Sequence, residues 1–328
     1  MAYPIERKLV VGISSNALFD LVEEDKTFKE KGLDAYRKYQ IENKQKVIKK
    51  GVAFPFIKRL LHINDVYIDE KPVEVVLLSK NSPETGIRIF NSIKYYELDI
   101  TRAAFMSGES PFEYIPAFNI SLFLATDKND VQLAVKSNMP AGRVLNTQIH
   151  DDDIKELRVG FDFDGVVADD EAEKIYKEKG IEKYYEYETK HSQDALRPGP
   201  LGDFFKKLAY FQKLETKKQL SDRSYRKILK TAIITARNAP AHERAVNTLK
   251  EWGVTVDEMF LLGGIEKKRI LEVMKPHLYF DDQLIHLSDE IKNIPLVHIP
   301  FGVSNVEQKL PTTTAISNAG ETKNENNK

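Results

Sequence analysis

An internal repeat constrains the fold of this chain more than any other feature of its sequence. FKEKGLDAYRKY, from Phe28, matches YKEKGIEKYYEY, from Tyr176, at an offset of 148 residues. NSIKYYELDI, from Asn91, matches NTLKEWGVTV, from Asn247, at an offset of 156 residues, so one insertion of eight residues within 211–234 reconciles the two registers. Chance likeness between Lys- and Glu-rich helices is the alternative, but the offset also holds across strands and glycines. The repeat therefore predicts two halves that fold alike.

Each copy alternates apolar, β-branched runs with amphipathic stretches. The runs are KLVVGIS, VEVVLLS, AAFMSG and ISLFLAT in the first copy and LRVGFD, KTAIIT, EMFLLGG and HLYFDD in the second. Strands that alternate with helices favour parallel, doubly wound sheets with helices on both faces. We expect one α/β lobe over 1–150 and a second over 151–310, joined near 140–155 by the acidic, solvated segment HDDDIKE. The polar segment 311–328 is typical of a disordered tail.

Charge and composition exclude several functional classes. The chain has 49 Lys and Arg against 50 Asp and Glu, a formal net charge of −1, so no overall field attracts nucleic acid or an anionic membrane surface. It has no cysteine, which excludes disulfides, thiolate metal sites and cysteine nucleophiles. The first residues show no apolar core of a signal peptide. We expect a soluble, cytoplasmic protein that binds neither nucleic acid nor membranes.

Carboxylates, a hydroxyl and an ammonium follow the predicted strands of the second copy. In open α/β sheets the ligand lies beyond the carboxyl ends of the strands, where these side chains would meet. Carboxylate oxygens suit Mg²⁺, a carboxylate can attack phosphorus, and a lysine neutralises phosphate charge. The pattern favours magnesium-assisted phosphoryl transfer. The residues are Asp162, Asp164, Thr235, Lys267, Asp281 and Asp282.

These residues resemble the motifs of a known superfamily. FDFDGVVAD is similar to the first motif of haloacid-dehalogenase-like phosphohydrolases, and the Thr, Lys and Asp-Asp positions follow in that superfamily's order. The chain is more similar still to the cytosolic type I 5′-nucleotidases, over roughly 8 to 303, through ISSNALFD, GVAFPFIK, GIRIFNSIKYYELDITR, MSGESPFEYIPAF, RPGPL and YFDDQ. The resemblance implies Rossmann-like lobes and Mg²⁺-dependent hydrolysis of nucleoside 5′-monophosphates.

The resemblance also implies a role for each residue. Asp162 would be the nucleophile that forms an aspartyl-phosphate, and Asp164 would be the general acid and then the base. Thr235, Ala236 and Lys267 would bind the phosphoryl group, helped by backbone N–H groups near Phe163 and Gly165. The metal ligands would be Asp162, Asp164, Asp281 and Asp282, with Asp281 favoured over Asp282 as the direct ligand.

Plainer explanations stay open for individual residues. DxDG can be a strand-ending turn in which the aspartates accept from nearby amides. Thr235 can serve as the N-cap of a helix that starts near Pro240. Lys268 is an alternative to Lys267.

An insert at about 170–215, between the first two strands of the second copy, would be a helical cap over the site. His191 and Arg197 of this insert are candidates for substrate binding. Arg237, directly after the second strand, is a third candidate, as a bidentate phosphate ligand. Tyr184, Tyr185 and Tyr187 could stack on a base, although half-buried packing is commoner for tyrosines at this spacing.

The first copy lacks the ionisable groups. Ser14 and Asn16 stand at the positions of the two motif aspartates, and Ser79, Pro111, Ala125 and Thr126 replace the other four residues. A serine without a base is a poor nucleophile, so we expect no turnover in this lobe. Its polar strand ends would bind a nucleotide effector or complete the substrate pocket; a pure scaffold is the alternative.

The sequence thus predicts a 5′-nucleotidase. A phosphatase for another small phosphomonoester and a non-catalytic, nucleotide-binding regulatory protein are the alternatives. Base preference, sugar preference and homo-oligomer formation stay open.

Overall fold

The computed structural model describes residues 3–145, 151–152, 154–288 and 290–305. The predicted tail at 311–328 lies outside the described residues. None of the helices in the described part of the chain combines the length and apolar character needed to cross a bilayer.

Ten of the strands in the described ranges form one sheet, and two short strands form a separate antiparallel pair. The first half contributes β1 (Leu9–Ile13), the antiparallel pair β2 (Phe19–Asp20) with β3 (Lys49–Lys50), β4 (Val73–Ser79), β5 (Arg102–Phe105), β6 (Leu122–Ala125) and β7 (Ala141–Val144). The second half contributes β8 (Leu157–Phe161), β9 (Leu229–Thr235), β10 (Glu258–Leu261), β11 (Leu278–Asp281) and β12 (Leu296–His298).

Helices connect the strands of both halves. They are α1 (Ser15–Leu18), α2 (Val22–Glu42), α3 (Phe54–Val66), α4 (Pro83–Tyr95), α5 (Lys128–Lys136), α6 (Glu171–Lys190), α7 (Gly202–Ser221), α8 (His242–Glu251) and α9 (Lys267–Met274). Single 3₁₀ turns lie at Ile5–Arg7, Phe112–Tyr114, Pro116–Phe118 and Leu284–His286.

The sheet is parallel within each half. Its strand order is β10-β9-β8-β11-β12-β7-β6-β1-β4-β5, and the single antiparallel pair, β12 with β7, joins the halves. The predicted α/β fold with a largely parallel sheet is confirmed. The strands β7 and β12 were missed, because Gly142 and Arg143 interrupt the apolar pattern of β7, and β12 has only three residues and lies between two prolines.

Strand bounds in the two halves follow the offsets of the sequence repeat. Strands β1 and β8 differ by 148 residues, and β4 and β9, β5 and β10, and β6 and β11 each differ by 156 residues. Helices α2 and α6 both break at a glycine with positive φ, Gly32 at +79° and Gly180 at +80°. Each half also has the same strand order. Common origin by duplication stays a prediction.

The antiparallel junction places the two sets of strand ends on opposite edges of the sheet. Val297 pairs with Val144, and His298 pairs with Arg143. The carboxyl ends of β1 and β4 therefore lie at the edge where the strands of the second half begin. The suggestion that Ser14 and its neighbours complete the substrate pocket of the second half is wrong for this reason.

The predicted cap range includes a helix of the core. Helix α7 buries Phe204 and Phe205 against Phe161 of β8, with a Phe161–Phe205 ring distance of 5.1 Å. Each such phenylalanine contributes about 1.5–3 kcal/mol by burial. Helix α7 is thus a crossover helix on the face of the sheet. The predicted cap is reduced to α6, whose role as a cap stays a prediction.

The acidic connection is ion-paired rather than freely solvated. Arg59 of α3, which is 5% exposed, donates to Asp151 Oδ1 at 2.8 Å and to Asp152 Oδ1 at 2.7 Å. Arg158 of β8 reaches Asp152 Oδ2 at 2.8 Å, and its backbone N–H donates to His277 Nδ1 at 3.0 Å. These contacts fix the chain as it enters β8. Residues 150 and 153 of the predicted connection lie outside the described residues.

Candidate active site

Asp162 lies where the buried strand β8 ends. Its backbone N–H still donates to the Phe280 carbonyl at 2.8 Å, so the ladder with β11 holds the residue in place. Its Oδ1 accepts the Phe163 N–H at 2.7 Å. Gly165 follows with φ +75°, and a Cβ there would lie 2.7 Å from Asp282 Cγ. A glycine is therefore needed for the loop to lie against Asp282.

Lys267 joins two of the predicted aspartates. Its Nζ lies 2.7 Å from Asp162 Oδ2 and 2.7 Å from Asp281 Oδ2, and the residue is 4% exposed. Burial lowers the pKa of Lys267, but the two carboxylates outweigh burial and raise it. Lys268 instead pairs with Glu290 at 3.3 Å. Of the two lysines considered, Lys267 is the one that faces the aspartates.

Protein donors surround Asp281. Tyr279 donates to Oδ2 at 2.7 Å, the Gln283 N–H donates to Oδ1 at 2.9 Å, and His286 Nδ1 lies 3.1 Å from Oδ1. Burial favours a higher pKa of Asp281, but Lys267 and His286 outweigh it and hold the pKa below its ordinary value. Asp281 is thus an ionised carboxylate whose oxygens already have partners.

Asp282 is the opposite case. It is fully buried, and neither carboxylate oxygen has a hydrogen-bond partner among the described residues. Burial, then the charges of Asp162 and Asp281, raise the pKa of Asp282 to about 10. A buried carboxylate without partners is costly unless a cation balances it.

The donor set at this edge suits a hard cation. Ligand atoms of Asp162, Asp281 and His286 lie within 4.8 Å of one another, but the Lys267 ammonium already bridges the two aspartates. Burial raises the pKa of Asp162 to about 7, although Lys267 opposes the rise. Asp282 is therefore the carboxylate that a cation would relieve most, and the charge of Asp162 acts on it.

Thr235 ends strand β9 with its side chain buried. Its Oγ1 accepts the Arg237 N–H at 3.2 Å, and Ala236 between them is exposed at the edge of the sheet. Helix α8 begins at His242 with Ala241 at the N-cap. The alternative that Thr235 caps this helix is therefore wrong.

Arg237 binds carboxylates of the protein. It grips Asp164 with both Nε and Nη2 at 2.7 Å, and its Nη1 donates to Glu188. Arg244 reaches the other oxygen of Glu188 at 2.9 Å. Sequence reasoning missed Glu188 and Arg244, because a glutamate in a Lys- and Glu-rich helix looks solvated. The only sequence feature that singles them out is the repeat, in which Glu188 corresponds to Gln40 and Arg244 to Arg88.

The remaining predicted substrate residues contact other side chains of the protein. His191 pairs with Asp194 at 2.7 Å, and Arg197, whose side chain is 81% exposed, pairs with Asp169 at 2.9 Å. The Tyr185 hydroxyl donates to Asn238 at 2.8 Å. Tyr187 donates to Glu171, and Tyr184 packs on Tyr176 at 6.1 Å. These contacts fit the packing interpretation of the tyrosines.

A cavity of about 780 Å³ lies away from these residues, where the strands of the second half begin. Arg158, His277 and Lys292 are among its lining residues. It therefore lies at the edge of the sheet opposite to Asp162.

Comparison with known proteins identifies the family of this chain. A family model described as 5′-nucleotidase matches residues 1–306. The chain belongs to the 5′-nucleotidase family. Within that family it is 33% identical over 288 residues to human cytosolic 5′-nucleotidase 1B, a match that covers 85% of this chain and 46% of that protein. The chain thus spans about half the length of this relative. The resemblance to cytosolic type I 5′-nucleotidases is confirmed, and no solved structure matches the chain.

Proposed function

We propose that this protein hydrolyses nucleoside 5′-monophosphates to a nucleoside and inorganic phosphate. One observation carries the proposal: a buried lysine contacts Asp162 at the end of β8, beside a buried carboxylate, Asp282, that has no hydrogen-bond partner among the described residues. An anionic substrate and a cation would both gain from this arrangement. The family and the name of the human relative support a nucleotide as the substrate.

In the proposed reaction, an Asp162 oxygen attacks phosphorus and forms an aspartyl-phosphate. The bond to the ribose 5′-oxygen breaks, and Asp164 donates its proton to that oxygen. Asp164 then takes a proton from water as the water attacks phosphorus, and Asp162 leaves as a carboxylate. Lys267 neutralises the phosphoryl oxygens, and Thr235 with the backbone N–H of Ala236 binds them.

Asp162 and Asp282 would hold Mg²⁺, whereas the predicted ligand Asp164 has both oxygens paired with Arg237. We propose Asp282 rather than Asp281 as the direct ligand, since the oxygens of Asp281 already accept from Lys267, Tyr279 and Gln283. When bound, the ion would offset the negative charge that accumulates during phosphoryl transfer.

The proposal assigns catalysis to the second half, 151–310. Helix α6 would be the cap that selects the leaving group. The first half, 1–150, would be a degenerate copy without turnover that binds a nucleotide effector or acts as a scaffold. A cytoplasmic location fits the name of the human relative.

A phosphate-release screen over nucleoside monophosphates and sugar phosphates, with Mg²⁺ and with EDTA, tests the proposal. We expect release from nucleoside 5′-monophosphates that requires the metal. Preference for a sugar phosphate would indicate a different phosphomonoesterase. Nucleotide binding without release from any substrate would indicate a regulatory protein.

A further inference from the structure

The carboxylate of Asp164 is held by one side chain. Arg237 Nε donates to Oδ2 at 2.7 Å and Nη2 donates to Oδ1 at 2.7 Å, a planar, bidentate pair. Arg237 is 3% exposed, and its Nη1 also donates to the Ala241 carbonyl at 3.0 Å and to Glu188. Since a guanidinium is rigid, the partners of Nη1 fix the plane in which Asp164 is held.

Glu188 connects this pair to the cap. It lies on α6 beyond the break at Gly180, and its side chain is 0% exposed. One oxygen accepts from Arg237, and the other accepts from Arg244 Nη1 at 2.9 Å. The two guanidinium groups balance a carboxylate that would otherwise be costly to bury. The cap helix is thus joined to Asp164 through a single side chain.

The first half of the same chain shows what the fold needs without catalysis. At the offsets of the repeat, Asn16, Gln40, Asn81 and Arg88 stand at the positions of Asp164, Glu188, Arg237 and Arg244. The charges of Glu188 and Arg237 are lost together with the catalytic aspartates, and only the last arginine is kept.

The kept arginine makes equivalent contacts in both halves. Arg88 Nε donates to the Lys46 carbonyl at 2.9 Å, and Arg244 Nε donates to the Asp194 carbonyl at 2.8 Å. Arg88 Nη1 reaches Gln40 Oε1 at 3.2 Å. Arg88 Nη1 also donates to Glu24 Oε1 of the same kinked helix at 2.5 Å. In the first half a glutamine therefore stands at the position of Glu188, while a carboxylate elsewhere on the helix balances the kept arginine.

We propose that Glu188 is a positioning residue: it fixes Arg237, which in turn holds Asp164 where it exchanges a proton with the leaving oxygen and the attacking water. A carboxylate has about four lone-pair sites, and Arg237 occupies two, so two stay available for that exchange. This inference rests on the proposed function, because it needs the proton-transfer role of Asp164.

The test compares a nucleoside 5′-monophosphate with its 5′-bridging phosphorothiolate, whose thiolate leaves without a proton. Glu188→Gln copies Gln40 of the first half and leaves Arg244 a carboxylate partner in Glu171, as Arg88 has Glu24, so we expect it to fold. kcat/KM reports the step in which the leaving group departs. Displacing a general acid costs part of the roughly 10²–10⁴-fold that such a group contributes. We expect Glu188→Gln to lower kcat/KM about 10- to 100-fold on the oxygen ester and less than about threefold on the thio ester.

Glu171→Gln is the matched control, because Glu171 lies on the same helix and contacts Arg244 at 3.5 Å but is not a partner of Arg237 in this network. Glu171→Gln should leave unchanged the ratio of kcat/KM on the oxygen ester to kcat/KM on the thio ester. If Glu188→Gln does not fold, Glu188→Asp keeps the charge with a shorter reach, and the same ratio should fall.

The outcomes separate the two claims. A fall in the ratio for a Glu188 variant alone supports the positioning role. An equal loss on both esters, or no loss, would mean that Glu188 only stabilises the cap, with the proposed function intact. Wild-type protein that releases phosphate from neither ester would overturn the proposed function and, with it, the positioning role.

Discussion

Replacing Asp282 with asparagine should stabilise the metal-free protein. Burial and the neighbouring carboxylates raise the pKa of Asp282 to about 10 from an ordinary value of 3.8. The unfolded chain is therefore ionised at pH 7 while the folded protein holds the proton. A raised carboxyl pKa costs stability above the unfolded value, so stability falls as the pH rises from about 4 towards 10.

The magnitude follows from the size of that shift. At pH 7, roughly three pH units at about 1.4 kcal/mol each give an upper limit of about 4 kcal/mol. The buried amide introduced by Asp282→Asn would itself stay without partners, which leaves a net gain of about 1–3 kcal/mol. The gain should disappear near pH 4, where the aspartate is protonated in both states.

Urea unfolding in EDTA and in Mg²⁺ measures both consequences. In EDTA at pH 7, Asp282→Asn should be more stable than wild type. At a Mg²⁺ concentration of about 100 Kd, wild type should gain about 2.7 kcal/mol and the variant almost nothing. Asp281→Asn is the control, since it removes an ion pair with Lys267 and should lose about 2–4 kcal/mol in both buffers. A metal-free Asp282→Asn that is less stable than wild type, or that responds to Mg²⁺ as wild type does, would refute the reasoning.

Three further predictions concern other parts of the molecule. Asp162→Asn should lower phosphate release at least about 10³-fold while the protein stays folded, because it removes the nucleophile; retained turnover would contradict the assignment. Ser14→Ala should leave kcat within about twofold of wild type, since its strand ends at the other edge of the sheet; a collapse of turnover would show that the site includes the first half. Burial lowers the pKa of His277 to about 4, so stability should fall by up to about 3 kcal/mol as the pH drops from about 6.5 to 4. Urea titrations at pH 7 and pH 5 measure that fall, and His277→Gln should show a smaller one.

The sequence predicted the α/β class because strands and helices each have a hydrophobic periodicity that can be read directly from the sequence. The offsets of 148 and 156 residues reappear in the bounds of β1 with β8 and of β4 with β9. The direction in which the halves join could not be predicted, because it depends on the pairing of β7 with β12, and neither strand contains an uninterrupted apolar run that can be recognised in the sequence.

Candidate residues that directly follow strands could be predicted, because the carboxyl ends of parallel strands lie at the same edge of the sheet. Lys267 was separated from Lys268 only by the structure, which turns one into the site and the other towards Glu290. The choice between Asp281 and Asp282 depends on partners that are distant in sequence, such as Tyr279 and His286 for the former. Sequence spacing carries no information about which of two adjacent carboxylates already has its hydrogen-bond partners.

Arg237 is another residue whose partners could not be predicted from the sequence. Its position after β9 suggested phosphate binding, whereas its guanidinium pairs with Asp164 and with Glu188, which is 49 residues away along the chain. A buried ion pair between distant elements leaves no periodic trace, so its members look like solvated surface charges.

Anomalous diffraction from crystals soaked in Mn²⁺, as a substitute for Mg²⁺, tests the central claim most directly. We expect one strong peak in contact with carboxylate oxygens of Asp162 and Asp282, and its loss in Asp282→Asn. A peak that contacts Asp281 and avoids Asp282, or no peak at this edge of the sheet, would contradict the account.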